Sequence, residues 1–230
     1  MNNNVVIVCI SGRSGSNGPT GMTKIRDMLR NELAPLEINP ENIFRRSWNH
    51  NQDDNPAGIP DVNDINSEID SRTDTPSYLA IIGHSYGGWA ACRVSKVTNR
   101  VPDFVGIIDP VFGFENSMGS DDIPRGSFIK NWYQNNSIIN GDTCTGLGKI
   151  PCSKSEGGFS CGYQNVEGAT NIQEEFMKDW NGNRKRVSCV GGRKHVLTSH
   201  IDIDEDDWIY RQIRDQLYSD LSRIINKSPL

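Results

Sequence analysis

Residues 78–89 read YLAIIGHSYGGW, and this stretch decides the fold class that the chain predicts. The apolar run 78–82 is typical of a buried strand, and the residues from Trp89 onward are typical of a helix. Between them Ser85 stands at the apex of a turn that glycines flank on both sides. This order of strand, Gly-x-Ser-x-Gly turn and helix is the context of a nucleophile elbow. We therefore predict that Ser85 is a nucleophile, with a merely flexible glycine turn as the alternative interpretation.

The rest of the chain continues the alternation of strands and helices. We predict strands at 5–10, 42–48, 78–82, 103–108, 128–134 and 186–190, and helices at 20–33, 62–71, 89–98, 172–180 and 206–225. Such alternation is typical of a three-layer α/β/α sandwich with a mainly parallel central sheet. A chain of 230 residues is most simply one domain, which we take to span 1–230.

The stretch at about 135–170 differs from the rest of the chain. It is poor in apolar residues and rich in Gly, Ser and Cys, and we predict an insertion near the mouth of the site. The cysteines in or near it allow two disulfides in three possible connectivities; they are Cys144, Cys152, Cys161 and Cys189. The other two, Cys9 and Cys92, are predicted to be buried free thiols.

Charge and hydropathy exclude several classes of protein. The net charge is −5 and no stripe of Lys and Arg occurs, so we expect no nucleic-acid partner. No apolar run approaches the roughly 20 residues of a transmembrane helix. The run 5–10 is short and lacks a basic flank, so we interpret it as a strand and not as a signal peptide. We expect a cytoplasmic protein, or a secreted one whose leader has been removed.

We expect neither a cofactor nor a bound metal. The cysteines form no Cys-x-x-Cys pair, and no histidine lies among the cysteines of the insertion. The glycine-rich turn at 11–18 follows a predicted strand and precedes a helix, as a phosphate-binding loop would. It does not make Gly-x-Gly-x-x-Gly, however, and no Gly-Lys-Ser/Thr follows it, which argues against a nucleotide.

A nucleophilic serine needs a base, and the chain has only four histidines. In the elbow fold the partners follow the serine in the order acid, then histidine. His50 precedes the elbow and His84 lies inside it, so we exclude both. The remaining two are placed in the loop before the last helix. We prefer His200, which directly precedes the acidic start of that helix, and keep His195 as the alternative base.

The acid that orients the base is predicted to be Asp109. It ends the buried strand 103–108 and is followed by Pro110, so its carboxylate would emerge beside the elbow at the carboxyl edge of the sheet. Because Asp-Pro is a common turn dipeptide, an ordinary turn aspartate is the alternative interpretation. Asp142 is the alternative acid.

An oxyanion hole formed by backbone N–H groups completes the predicted constellation. One donor is Tyr86, the residue after the predicted nucleophile. The other is expected in the turn that follows the first strand, where we choose Arg13.

With these residues in place, the chain resembles the α/β-hydrolase superfamily and, within it, the lipases and esterases. The elbow, GHSYGG at 83–88, is similar to the lipase form, in which a histidine often precedes the serine. The segment IIDP at 107–110 resembles the Leu-Asp-Pro segment of pancreatic-type lipases, whose acid follows the strand after the elbow. The first predicted strand corresponds to the third strand of the family, so the leading hairpin is missing.

The resemblance implies a compact α/β-hydrolase fold and a serine hydrolase. Its triad would be Ser85, Asp109 and His200, and it would cleave small-molecule or lipid carboxylic esters through an acyl-serine intermediate. The same residues serve thioesterases and acyltransferases, which remain alternatives. A further alternative is a non-catalytic protein that binds a lipid or a partner on a hydrolase fold.

Overall fold

The computed structural model describes residues 4–13, 20–52, 55, 57–139 and 161–225. The strands in this part of the chain are β1 (Val5–Ser11), β2 (Ile43–Ser47), β3 (Tyr78–His84), β4 (Phe104–Ile108), β5 (Phe128–Tyr133), β6 (Thr170–Gln173), β7 (Arg186–Cys189) and β8 (Gly192–His195). The helices are α1 (Gly21–Glu32), α2 (Val62–Arg72), α3 (Tyr86–Val97) and α4 (Asp207–Ile225).

The central sheet has six strands in the order β2-β1-β3-β4-β5-β6, and every neighbouring pair is parallel. β1 and β3 are buried along their whole length, which explains their continuous apolar runs. From β1 the chain proceeds to one side of the sheet, and from β3 it proceeds to the other. The strand order therefore reverses between β1 and β3, and the carboxyl ends of these two strands are where open α/β sheets bind ligands.

Helices cover both faces of the sheet. Alternate residues of β1 show this, because Ile7 packs in the layer that contains α1 and α4, whereas Val8 packs in the layer that contains α2 and α3. In α4 the buried residues Ile209, Ile213 and Leu217 recur every four positions, as an amphipathic helix requires. The predicted three-layer α/β/α class with a parallel sheet is confirmed, and β2 lies at one edge of the sheet.

One predicted element after the insertion is wrong, and a second forms but lies outside the central sheet. The helix at 172–180 is absent; instead β6 pairs with β5, from Lys130 opposite Thr170 to Tyr133 opposite Gln173. The strand at 186–190 does not join the central sheet, because β7 pairs with β8 in a separate antiparallel hairpin. Gly191 and Gly192, both with positive φ, reverse the chain there. At 170–173, pairing with the neighbouring strand outweighs the local helix propensity.

The predicted insertion is described only at its flanks, since 140–160 fall outside the described residues together with Asp142, Cys144 and Cys152. Cys161 and Cys189 are each disulfide-bonded. Cys9 and Cys92 are free and buried, as predicted. Within the described ranges, no helix is both long enough and apolar enough to cross a membrane.

Candidate active site

Ser85 sits between β3 and α3 with φ 57° and ψ −127°, a backbone conformation that costs a non-glycine residue free energy. Backbone hydrogen bonds hold it there. Its N–H donates to the carbonyl oxygen of Ile108 at 3.0 Å. Its carbonyl oxygen accepts from the N–H groups of Gly88 at 2.9 Å and Val111 at 3.2 Å. The side chain of Ser85 is thus presented at the carboxyl edge of the sheet by an elbow tied to β4 and to the chain that follows it.

Glycines allow this elbow to pack backbone against backbone. A Cβ on Gly83 would lie 2.0 Å from the carbonyl oxygen of Gly87, and a Cβ on Gly87 would lie 2.1 Å from that of Ile10. A Cβ on Gly12, just after β1, would lie 2.7 Å from the Cβ of Ser85. A side chain at Gly12 or Gly87 would push the elbow away from β1, and one at Gly83 would push β3 away from the start of α3.

His200 links Ser85 to Asp109. Its Nε2 lies 2.9 Å from Oγ of Ser85, and its Nδ1 lies 2.7 Å from Oδ2 of Asp109. Because an ionised carboxylate only accepts, Nδ1 carries the proton and Nε2 is left to accept from the Ser85 hydroxyl. The backbone N–H of His200 donates to the carbonyl oxygen of Ile138 at 2.8 Å, which ties the histidine loop to the flank of the insertion.

Asp109 directly follows β4 and is fully buried. Its Oδ1 accepts from the backbone N–H of Gln134 at 2.8 Å, and its Oδ2 accepts from Nε2 of the same glutamine at 3.0 Å. Gly162 packs against it so closely that an added Cβ would lie 2.0 Å from Oδ1. The hydrogen bonds of Gln134 and His200 compensate the burial of this carboxylate, which leaves its second oxygen aimed at His200.

A cavity of about 440 Å³ lies at this edge of the sheet. Its lining includes Gly12, Arg13, Ser85, Tyr86, Val111, Ile139, His200 and Ile201. Tyr86 is the first residue of α3, so its backbone N–H belongs to the helix N-terminus, where orphan donors and the helix dipole favour an anion. Burial raises the pKa of the Tyr86 phenol, and the nearby Arg13 guanidinium partly offsets this rise. Both predicted oxyanion donors thus border the cavity that contains Ser85.

The structure separates the two candidate bases. His195 lies on β8 and not in a loop, with its ring against Phe176 at a centroid distance of 5.5 Å. Its Nε2 lies 3.4 Å from a guanidinium nitrogen of Arg186. The structure therefore brings Ser85, Asp109 and His200 together and leaves His195 on the separate hairpin.

Three side chains at the site were not singled out from the sequence as part of it. Gln134 directly follows β5, as Asp109 directly follows β4. Because neighbouring parallel strands end at the same edge of a sheet, the sequence positions of these two residues could have predicted their contact. His84 contacts the backbone of His200 and the carboxylate of Asp204. Asp204 belongs to the acidic stretch between His200 and the last helix, and no local pattern connects it with His84.

The described part of the chain contains no group of three or more His, Cys, Asp or Glu side chains placed to bind a metal ion. No family model matches the sequence, and no curated protein matches it either.

Among solved structures, the chain is similar to a protein of Xanthomonas campestris pv. campestris provisionally described as a hydrolase of the alpha/beta superfamily. The sequences are 12% identical, the match covers 94% of this chain and 99% of the other, and the TM-score is 0.47. The strand order and the two helical layers of this chain define its fold class.

Proposed function

We propose that this chain is a serine hydrolase that cleaves carboxylic esters, in the manner of esterases and lipases. The observation that carries the proposal is the unbroken series of contacts from Oγ of Ser85 through His200 to the buried Asp109, at 2.9 Å and 2.7 Å. Both distances are within the reach that proton transfer between a nucleophile and its base requires.

In the first half of the reaction, Oγ of Ser85 attacks the ester carbonyl carbon while Nε2 of His200 takes the hydroxyl proton. Asp109 holds the ring in the tautomer that can accept this proton and stabilises the imidazolium that forms. The tetrahedral intermediate then collapses. The bond to the alcohol breaks, His200 returns the proton to the leaving alkoxide, and an acyl-serine remains.

In the second half, water takes the place of the alcohol. His200 removes a proton from the water as it attacks the acyl carbon, and later returns this proton to Oγ of Ser85. The carboxylic acid leaves and the free enzyme is restored. Tyr86 and Arg13 line the same cavity, and their backbone N–H groups would bind the oxyanion in both halves.

The strained backbone of Ser85 favours an enzyme over a non-catalytic lipid-binding or partner-binding protein. A binding cavity has no need of a serine at φ 57° hydrogen-bonded to a histidine and, through it, to a buried carboxylate. Thioesterases and acyltransferases use the same three side chains, so these reactions are the alternative if the protein has an activated serine but cleaves no oxygen ester.

The test is hydrolysis of p-nitrophenyl esters from acetate to palmitate by the wild type, Ser85→Ala and His200→Ala. We expect the wild type to release p-nitrophenol and both variants to lose about 10⁴-fold or more in kcat. His50→Gln is the matched control, because His50 is exposed and lies before the elbow. Full activity of Ser85→Ala would rule out the acyl-serine mechanism.

A second readout separates the enzyme from a binding protein without a known substrate. A fluorophosphonate probe forms a covalent bond with an activated serine, so we expect it to label the wild type at Ser85. Ser85→Ala should remain unlabelled. Labelling without hydrolysis of any oxygen ester would move the proposal to thioesters or acyl transfer, and absence of labelling would favour the binding protein.

A further inference from the structure

His84, the last residue of β3, points toward the layer of α1 and α4. Tyr78, Ala80 and Ile82 of the same strand pack in that layer, and the strand period of two places His84 on the same side. The short 3-10 helix Ile203–Glu205, which precedes α4, lies there as well.

Both ring nitrogens of His84 face hydrogen-bond acceptors. Nε2 lies 2.8 Å from the carbonyl oxygen of His200, and Nδ1 lies 3.2 Å from Oδ2 of Asp204. The Asp204 side chain is nearly buried, and Gly21 of α1 packs so closely on it that an added Cβ would lie 2.2 Å from its Cγ. The two side chains thus form a buried pair beneath the histidine loop.

The acceptors determine how many protons the pair holds. A neutral imidazole has one N–H and can donate to only one of two acceptors. An imidazolium has two, and it can donate to the His200 carbonyl and to the ionised Asp204 at the same time. The hydrogen bonds are therefore all satisfied when His84 is charged and Asp204 is ionised.

The electrostatic surroundings of His84 support the charged form. Burial lowers the pKa of His84, but the charge of Asp204 and its hydrogen bond raise it, and the net pKa lies above the ordinary value of 6.5. The charge of Asp109 and the His200 carbonyl contribute in the same direction. Among the described residues, Asp109 acts electrostatically on His84, and Asp204 acts on Tyr210. Arg13, His200 and Glu205 line the same cavity as the pair, and Lys24 forms an ion pair with Glu205.

His84 matters for the site because of what it holds. The ring nitrogens of His200 are used by Ser85 and Asp109, and its backbone N–H is used by Ile138. The carbonyl group of His200 is held by His84, which is covalently adjacent to Ser85. His84 therefore connects the backbone of the proposed base directly to the elbow that carries the proposed nucleophile.

We propose that His84, as an imidazolium paired with Asp204, is a positioning residue that fixes His200 at hydrogen-bonding distance from Ser85. The effect of His84 on turnover rests on the proposed function, whereas its protonation state is independent of that function. When the pH rises above the pKa of His84 and the pair loses its proton, His84 can no longer donate to both acceptors. His200 is then held less firmly and turnover falls.

The state of the pair is tested first by NMR, which needs no substrate. Histidine ring ¹⁵N spectra of the wild type should show both nitrogens of His84 protonated at pH 6, with a midpoint of titration above 6.5. In Asp204→Asn the midpoint should fall, because the stabilising charge is removed. A His84 that is neutral at pH 6 in the folded wild type would overturn the proposal even if the protein hydrolyses esters.

The role of the pair is tested by the pH profile of kcat with p-nitrophenyl acetate. We expect an alkaline limb in the wild type that moves to lower pH in Asp204→Asn. In His84→Gln this limb should be absent, because glutamine does not titrate, and kcat should be about 10-fold to 100-fold lower.

His50→Gln serves as the matched control and should keep the wild-type profile. A limb that persists unchanged in His84→Gln, or a wild type without such a limb, would contradict the positioning role. Thermal unfolding of each variant confirms that it folds, and Asp204→Asn carries the test should His84→Gln fail to fold. Inactive wild type with a charged His84 would contradict the proposed function and leave the charged pair standing.

Discussion

At the scale of single residues, the approach of Gly12 to Ser85 sets how closely β1 and the elbow pack. We predict that Gly12→Ala lowers kcat for ester hydrolysis by about 100-fold, because its Cβ would lie 2.7 Å from Cβ of Ser85 and 2.9 Å from the carbonyl oxygen of His84. The elbow must shift to accommodate it.

Steady-state kinetics of Gly12→Ala beside Gly119→Ala checks this prediction. At Gly119 an added Cβ meets only the Asp122 carboxylate, at 3.5 Å, and φ is −96°, so the control should behave like the wild type. Wild-type kcat in Gly12→Ala would show that the elbow does not depend on this contact.

Gln134 donates two hydrogen bonds to the buried Asp109, and its side-chain amide binds the same oxygen that faces His200. We predict that Gln134→Met, which keeps the length of the side chain but removes its amide, lowers kcat by about 10-fold to 100-fold. Hydrogen bonds to charged groups contribute about 1.5–3 kcal/mol, and about 1.4 kcal/mol of barrier is tenfold in rate. KM should change little, since the cavity lining does not include Gln134.

The matched control is Gln212→Met on α4, where the lost side-chain hydrogen bond is to Lys130 and not to the site. We expect its kcat to equal that of the wild type. The interpretation of Gln134 as the support of Asp109 fails if both variants have the same kcat.

At the scale of elements, a buried carboxylate directly precedes α4. Asp206 is fully buried and accepts from the N–H groups of Lys178, Trp208 and Ile209. Burial raises its pKa from 3.8 to about 6, although these hydrogen bonds act in the opposite direction and Glu174 adds to the rise. The folded state therefore binds this proton more tightly than the unfolded chain does.

We predict that Asp206 contributes stability at about pH 4 and loses this contribution as the pH rises to about 6. The rise in pKa corresponds to about 3 kcal/mol over this window. Urea unfolding of the wild type and Asp206→Asn between pH 4 and pH 7 measures the difference in their free energies of unfolding. As the pH rises, the wild type should lose stability relative to Asp206→Asn. A difference that is constant over this range would contradict the raised pKa.

The elements also show where local patterns mislead. The segment 172–180 was predicted to be a helix, yet residues 170–173 form β6 because β5 offers an open edge. Short polar segments such as these four residues, TNIQ, have little intrinsic preference, and the partner strand decides their conformation.

At the scale of the whole molecule, the cysteines fall into two groups, the free thiols of the core and the cysteines in disulfide bonds. Cys9 and Cys92 are fully buried thiols; burial raises the pKa of Cys9 to about 12 and also raises the pKa of Cys92. Cys161 and Cys189 are disulfide-bonded. Thiolate is the reactive form, so the free thiols should be inert in the folded protein.

We predict that iodoacetamide modifies none of these four cysteines in the native, unreduced protein. In denaturant without a reductant it should modify Cys9 and Cys92, and only after reduction should it also modify Cys161 and Cys189. Peptide mapping by mass spectrometry measures each site. Labelling of Cys9 under native conditions would contradict the full burial of its side chain in the central sheet.

The local pattern was sufficient where neighbouring residues determine conformation. The apolar run before Gly83, the glycines around Ser85 and the helix after it predicted the strand, the elbow and α3, because sterics confine such a turn to few conformations. The alternation of strands and helices likewise predicted the three-layer class, since parallel strands need covered faces.

Contacts between distant segments were decided only by the tertiary structure. The sequence ranked His200 above His195 by its acidic neighbours, whereas the structure places the first beside Ser85 and the second on a separate hairpin. The contacts of Gln134 with Asp109 and of Asp204 with His84 likewise join segments far apart in the chain. Such contacts depend on where strands end in the folded sheet, which hydrophobic periodicity along the chain does not encode.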